Sequence, residues 1–104
     1  LVTGSPGGSR IITTTLQVLM NVIDHNMNIQ TAVSAPRIHH QWLPDEIRVE
    51  QGISPDTLDL LRARGHTINT GSAMGAIQSI LIGEDGTLYG GADPRRSTSS
   101  AMGF

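Results

Sequence analysis

The stretch Gly4-Ser5-Pro6-Gly7-Gly8-Ser9-Arg10 has the residue types that could hold a negative charge. A glycine-rich turn between a strand and a helix leaves backbone N–H groups uncovered beside the positive end of the helix dipole. Such a turn can take a phosphate or the oxyanion of an acyl-transfer intermediate. Neighbouring Gly7 and Gly8 matter because a side chain at either position would keep a substrate carbonyl from the backbone. The competing reading is a plain strand–helix turn that needs glycine for its backbone angles.

Nucleotide signatures fit this loop poorly. A Walker loop requires Gly, four residues and Gly-Lys-Ser/Thr, and the chain has no lysine. A dinucleotide loop requires Gly-x-Gly-x-x-Gly, a spacing that Gly4 to Ser9 lacks. Ser5 or Ser9 with His39 and Asp45 contains the types for nucleophilic catalysis, but neither serine lies in a Gly-x-Ser-x-Gly elbow. Neighbouring His39 and His40 would face opposite sides of a strand, with no cysteine and no carboxylate at customary ligand spacing. With Trp42 they read as a polar packing or interface segment, and neither a metal nor an organic cofactor is expected. Asp59 with Arg62, and the pair Arg95-Arg96, read as solvated surface charges.

The elements around these residues follow from spacing and punctuation. Leu1 to Thr3 reads as the end of a buried strand. Ser9 is the expected N-cap of a helix running to about His25. Ile12, Leu16, Leu19 and Ile23 form one apolar stripe on it, and Ile11, Val18 and Val22 a second. Together they predict burial on several sides. A short helix spans Ile29 to Ala35 and stops at Pro36, and Arg37 to Pro44 reads as irregular. Glu46 to Glu50 alternates like a strand. Ser54-Pro55 opens a helix that Gly65 ends. His66 to Thr70, Ala76 to Ile82 and Thr87 to Tyr89 read as strands, the last two joined by a turn at Asp85-Gly86. Gly90 to Phe104 is left without an element. The order β-α-α-β-α-β-β-β predicts an α+β fold.

Bulk properties narrow the class. At 104 residues there is room for one small domain, 1–104, and 38% hydrophobic content indicates a folded chain. Twelve glycines and three aromatics are a thin basis for a self-sufficient core. A net charge of −2 offers no basic footprint, so no nucleic-acid partner is expected. Leu16 to Ile23 is too short to span a bilayer. The opening Leu1-Val2-Thr3-Gly4 carries no initiator methionine, and a longer parent protein is expected.

In order along the chain, three blocks resemble the γ-glutamyltransferases, also called glutathione hydrolases. Leu1-Val2-Thr3-Gly4-Ser5-Pro6-Gly7-Gly8-Ser9-Arg10-Ile11-Ile12 resembles their glycine-loop signature. Ala35-Pro36-Arg37-Ile38-His39-His40-Gln41-Trp42-Leu43-Pro44 resembles a second block. Met74-Gly75, Gln78 and Tyr89-Gly90-Gly91-Ala92-Asp93-Pro94-Arg95 resemble the end of the small subunit.

The resemblance implies the C-terminal portion of an αββα sandwich of the N-terminal-nucleophile hydrolase type. It implies a proenzyme that cleaves itself into two subunits. An N-terminal threonine would then take a γ-glutamyl group from a substrate such as glutathione and pass it to water, an amino acid or a peptide. Gly7 and Gly8 match the oxyanion-hole glycines of that family. The family's nucleophilic threonine has no counterpart here, since Thr13-Thr14-Thr15 lies inside the predicted helix and is followed by Leu16.

The isolated chain is therefore expected to be inactive, with the upstream small-subunit segment and the large subunit of the same precursor as its partners. Family habit places the parent in the periplasm or outside the cell. Other readings are a non-catalytic assembly piece that pairs with those partners or with another copy of itself, an anion-binding module using the Gly4 to Arg10 loop, and a related acylase specificity.

Overall fold

A computed structural model describes residues 1–103. Nine elements follow one another: β1 (Val2–Gly4), α1 (Arg10–Ile23), α2 (Ile29–Ser34), β2 (Ile38–His39), β3 (Ile47–Val49), α3 (Pro55–Ala63), β4 (Ile68–Thr70), β5 (Gln78–Ile82) and β6 (Leu88–Ala92). The strands form two three-stranded sheets, ordered β1-β5-β6 and β2-β3-β4. The first is antiparallel throughout, with Val2 opposite Ile80 and Ile80 opposite Gly90. In the second, β2 and β3 are antiparallel and β3 and β4 parallel. A parallel pair needs a long crossover, and α3 supplies it.

The expected α+β arrangement is present, with one element added and one lengthened. β2 falls in the stretch expected to be irregular. It is an edge strand of two residues, and Gln17 of α1 closes its open side: Gln17 Nε2 donates to the Ile38 carbonyl at 2.7 Å, and the Ile38 amide donates to Gln17 Oε1 at 2.8 Å. β6 continues to Ala92, beyond the expected end at Tyr89, because five residues pair with β5 in register. Of the tail left unassigned, Phe104 lies outside the described residues.

The core forms where α1 and α2 meet the inner side of β5. Val18, Ile29, Ala32, Val33 and Ile77 are buried together, with Val22, Met27 and Leu81 packed against them. Burial of α1 on several sides is not observed. Thr14 and Val18 are its buried residues, whereas Ile12, Leu16 and Ile23 are exposed. The face carrying Val18 and Val22 meets the core, and Ile11 is exposed along with Ile12, Leu16 and Ile23. The outer side of the first sheet is apolar as well: Val2, Ile80, Ile82 and Leu88 are exposed, and the register sets Val2 beside Ile80 and Ile82 beside Leu88 on one face.

Two expected caps differ in detail. Ser9 sits at the start of α1 with helical angles, and its hydroxyl donates to Gln41 Oε1 at 3.0 Å instead of to its own helix. Ser54 precedes α3 with extended angles, and its hydroxyl bonds Thr57 Oγ1 at 2.8 Å. The Asp59–Arg62 pair lies on the surface of α3, as expected.

Candidate glycine-loop site

The loop between β1 and α1 owes its shape to two adjacent glycines. Gly7 has φ +138° and Gly8 φ +60°, a region in which L side chains are strained. Their carbonyls accept the first bonds of α1, from the amides of Arg10 at 3.2 Å and Ile11 at 3.1 Å. Among the described residues, neither the Gly7 nor the Gly8 amide donates to another group of the chain. Both glycines are exposed, and the first turn of α1 has no acidic residue. Two exposed glycines, their amides bonded to nothing else among the described residues, thus stand at the positive end of a 14-residue helix.

Behind this loop lies a segment from the far end of the chain. The Ser5 hydroxyl accepts the Ala76 amide at 3.0 Å, and a Cβ on Gly7 would come within 4.0 Å of the Gly75 Cα. Ser5 is thus held by structure and is not paired with a base. Of the other triad types, His39 bonds Thr13 and Gln41, and Asp45 meets His40. No Ser-His-Asp arrangement is assembled. His39 is buried, whereas His40 and Trp42 are exposed. Among the described residues, no group of three His, Asp or Glu side chains could hold a metal ion.

Arg95 was expected on the surface and is not there. Arg37, Glu50, Asp93 and Arg95 form a buried cluster in which the side chains are 2%, 6%, 0% and 10% exposed, respectively. Asp93 meets Arg37 at 2.8 Å and Arg95 at 3.1 Å, and Glu50 meets Arg95. The cluster also grips backbone. The Met74 amide donates to Glu50, Arg37 Nη1 donates to the Met74 carbonyl at 2.6 Å, and the Ile77 amide donates to Asp93 at 2.7 Å. The segment behind the glycine loop is thereby tied at both ends. Sequence reasoning missed the cluster because its four members come from three separated stretches. A usable signal was the setting of Arg37 between Ala35-Pro36 and Ile38 and of Asp93 between Gly90-Gly91-Ala92 and Pro94, where immediate polar neighbours are few.

Burial alone would raise both carboxyls. The Arg95 guanidinium and the Met74 and Arg37 amides outweigh it at Glu50, and the Arg95 amide, the Arg37 guanidinium and the Ile77 amide do so at Asp93. Both are held below their ordinary values of 4.5 and 3.8. A carboxyl with a depressed folded value adds stability that is complete above its unfolded value and lost as pH falls toward the folded one. The urea midpoint of the chain is therefore expected to hold from neutrality to about pH 5 and to fall steadily toward about pH 3. A midpoint that rises on acidification would contradict this assignment.

The gamma-glutamyltranspeptidase family model matches residues 1–103. The glutathione hydrolase proenzyme of Escherichia coli (strain K12) is 59% identical over 104 residues, covering 100% of this chain and 18% of its own length. A solved mutant gamma-glutamyltranspeptidase of Helicobacter pylori superposes with TM-score 0.85 at 55% identity, covering 91% of this chain and 53% of that one. The gamma-glutamyltranspeptidase of Pseudomonas nitroreducens complexed with L-DON gives TM-score 0.88 at 38% identity, covering 99% of this chain and 55% of that one. The chain spans about a fifth of the length of the glutathione hydrolase proenzymes it matches. No described helix is long and apolar enough to cross a membrane.

Proposed function

Because this chain belongs to the gamma-glutamyltranspeptidase family, we propose that it supplies the oxyanion donors, the Gly7 and Gly8 amides, for γ-glutamyl transfer. The observation carrying this reading is the pair of exposed glycines at the start of α1 whose amides bond nothing else among the described residues. In the reaction a threonine hydroxyl from the rest of the enzyme attacks the γ-glutamyl carbonyl carbon and its proton passes to a base. The carbonyl oxygen becomes an anion, which the two amides stabilise where it forms. The C–N bond then breaks, the leaving amine takes a proton, and water or an amino acid or peptide later accepts the acyl group.

Residues 1–104 act in this reading as one segment of a small subunit, assembled with the upstream segment and the large subunit of its precursor, in the periplasm or outside the cell. The uncovered apolar stripe of α1 and the apolar outer face of the first sheet favour such an assembly. Glutathione and other γ-glutamyl compounds are the substrates. The amides read only the carbonyl oxygen, so the choice between a γ-glutamyl and another acyl group lies with other parts of the site.

The test is a chimera in which residues 1–104 replace the matching stretch of the Escherichia coli proenzyme. Release of p-nitroaniline from γ-glutamyl-p-nitroanilide is expected from the self-cleaved chimera and not from the 104-residue chain alone. A chimera that folds and cleaves itself yet releases nothing would sink the reading. Activity in the isolated chain would relocate the nucleophile to it, with Ser5 and Ser9 the first to replace.

A further inference from the structure

The Ser5 hydroxyl makes two bonds that together orient a peptide plane. Its oxygen accepts the Ala76 N–H at 3.0 Å and its proton goes to the Pro6 carbonyl at 2.8 Å. The Pro6 carbonyl and the Gly7 N–H belong to the same peptide unit. In a planar trans peptide they point in opposite directions. Holding the carbonyl toward Ser5 therefore turns the Gly7 N–H away from the Met74–Ile77 segment and toward the open side of the loop. We propose that Ser5 is the positioning residue for the Gly7 donor, and that Gly75 is required to leave it room. The inference rests on the oxyanion reading of Gly7.

Gly75 supports it by what it lacks. A Cβ there would stand 2.7 Å from Ser5 Oγ and 3.1 and 3.2 Å from the Thr14 side chain, at a φ of +73°. Thr14 is buried in α1 and cannot withdraw freely. Ser5 would have to yield, and the Pro6–Gly7 peptide with it. The opposite support is firm, because Glu50, Arg37 and Asp93 hold Met74 and Ile77 on either side of Gly75 and Ala76. The glycine loop is thus referenced to a buried charge cluster through one hydroxyl.

A positioning defect should appear in the chemical step and not in substrate binding. In the chimera, Ser5→Ala is expected to lower the single-turnover acylation rate at saturating γ-glutamyl-p-nitroanilide about 10- to 100-fold. The half-saturating concentration and the melting temperature are expected to stay near the parent values. Ser5→Thr, which keeps the hydroxyl, should recover most of the rate, and Gly75→Ala should reproduce the loss. An acylation rate for Ser5→Ala within about twofold of the parent would overturn the proposal. So would a loss spread over rate, half-saturation and melting temperature that Ser5→Thr does not restore. Replacing the Gly7 amide by an ester separates the two readings. If the ester slows acylation and Ser5→Ala does not, positioning by Ser5 fails while the oxyanion reading stands; if the ester changes nothing, both fall.

Discussion

Exchanging the Gly7 backbone amide for an ester is expected to slow acylation by the chimera about 10²–10³-fold, the usual cost of one oxyanion donor. The ester is the appropriate probe because of the backbone. Gly7 has φ +138°, whereas proline holds φ near about −65°, so a proline would remove the N–H and also refold the loop. Any other L residue is strained there as well. An ester replaces N–H by oxygen, keeps the plane, and leaves the Gly7 carbonyl to accept the Arg10 amide at 3.2 Å and start α1. The half-saturating substrate concentration should change little, since the donor meets charge that exists only as the carbonyl carbon becomes tetrahedral. A rate within about threefold of the parent would remove Gly7 from the chemistry. Exchanging the Gly8 amide in the same way would then show whether one donor suffices.

Whether such a loop could be found from sequence divides along a physical line. Its location was legible, because Gly4 to Gly8 interrupts an apolar strand before a helical pattern. α2, α3 and the hairpin turn at Asp85-Gly86 were legible for the same reason: Pro36, Ser54-Pro55 and Gly65 are local punctuation. The direction of the Gly7 amide was not, since it is set through Ala76, 71 residues from Ser5. β2 was hidden because two residues become a strand only when β3 and the Gln17 side chain close both edges. β6 ran past Tyr89 through Gly90 and Gly91, residues with little strand preference that pair because β5 is already in place. Arg95 was misplaced on the surface because charge type alone suggests solvent, while its burial depends on Glu50, 45 residues away. For α1 the helical spacing was legible, but only the face carrying Thr14, Val18 and Val22 is covered by the rest of these residues.

The charge cluster governs whether the loop has a platform at all, and Asp93 is its most exacting member. Fully buried, it accepts from Arg37 Nη2 at 2.8 Å, the Ile77 amide at 2.7 Å, the Arg95 amide at 2.9 Å and Arg95 Nη1 at 3.1 Å. Asp93→Ala would leave two buried guanidiniums sharing Glu50 and would strand the Ile77 amide. Breaking a buried pair in this way costs about 3–5 kcal/mol, a large part of the roughly 5–15 kcal/mol that holds a domain together. Urea denaturation of the chain is expected to register that loss. The exposed Asp59–Arg62 pair, with side chains 75% and 51% exposed, is the internal comparison, and Asp59→Ala should cost no more than about 0.5 kcal/mol. A loss below about 1 kcal/mol for Asp93→Ala would mean that packing holds the Met74–Ile77 segment. Adding Arg37→Met to Asp93→Ala should return part of the lost stability, because it removes one uncompensated buried charge while keeping most of the side-chain volume. If the second substitution adds to the damage, the work of Arg37 lies in its bonds to the Met74 and Val33 carbonyls and not in its pairing with Asp93.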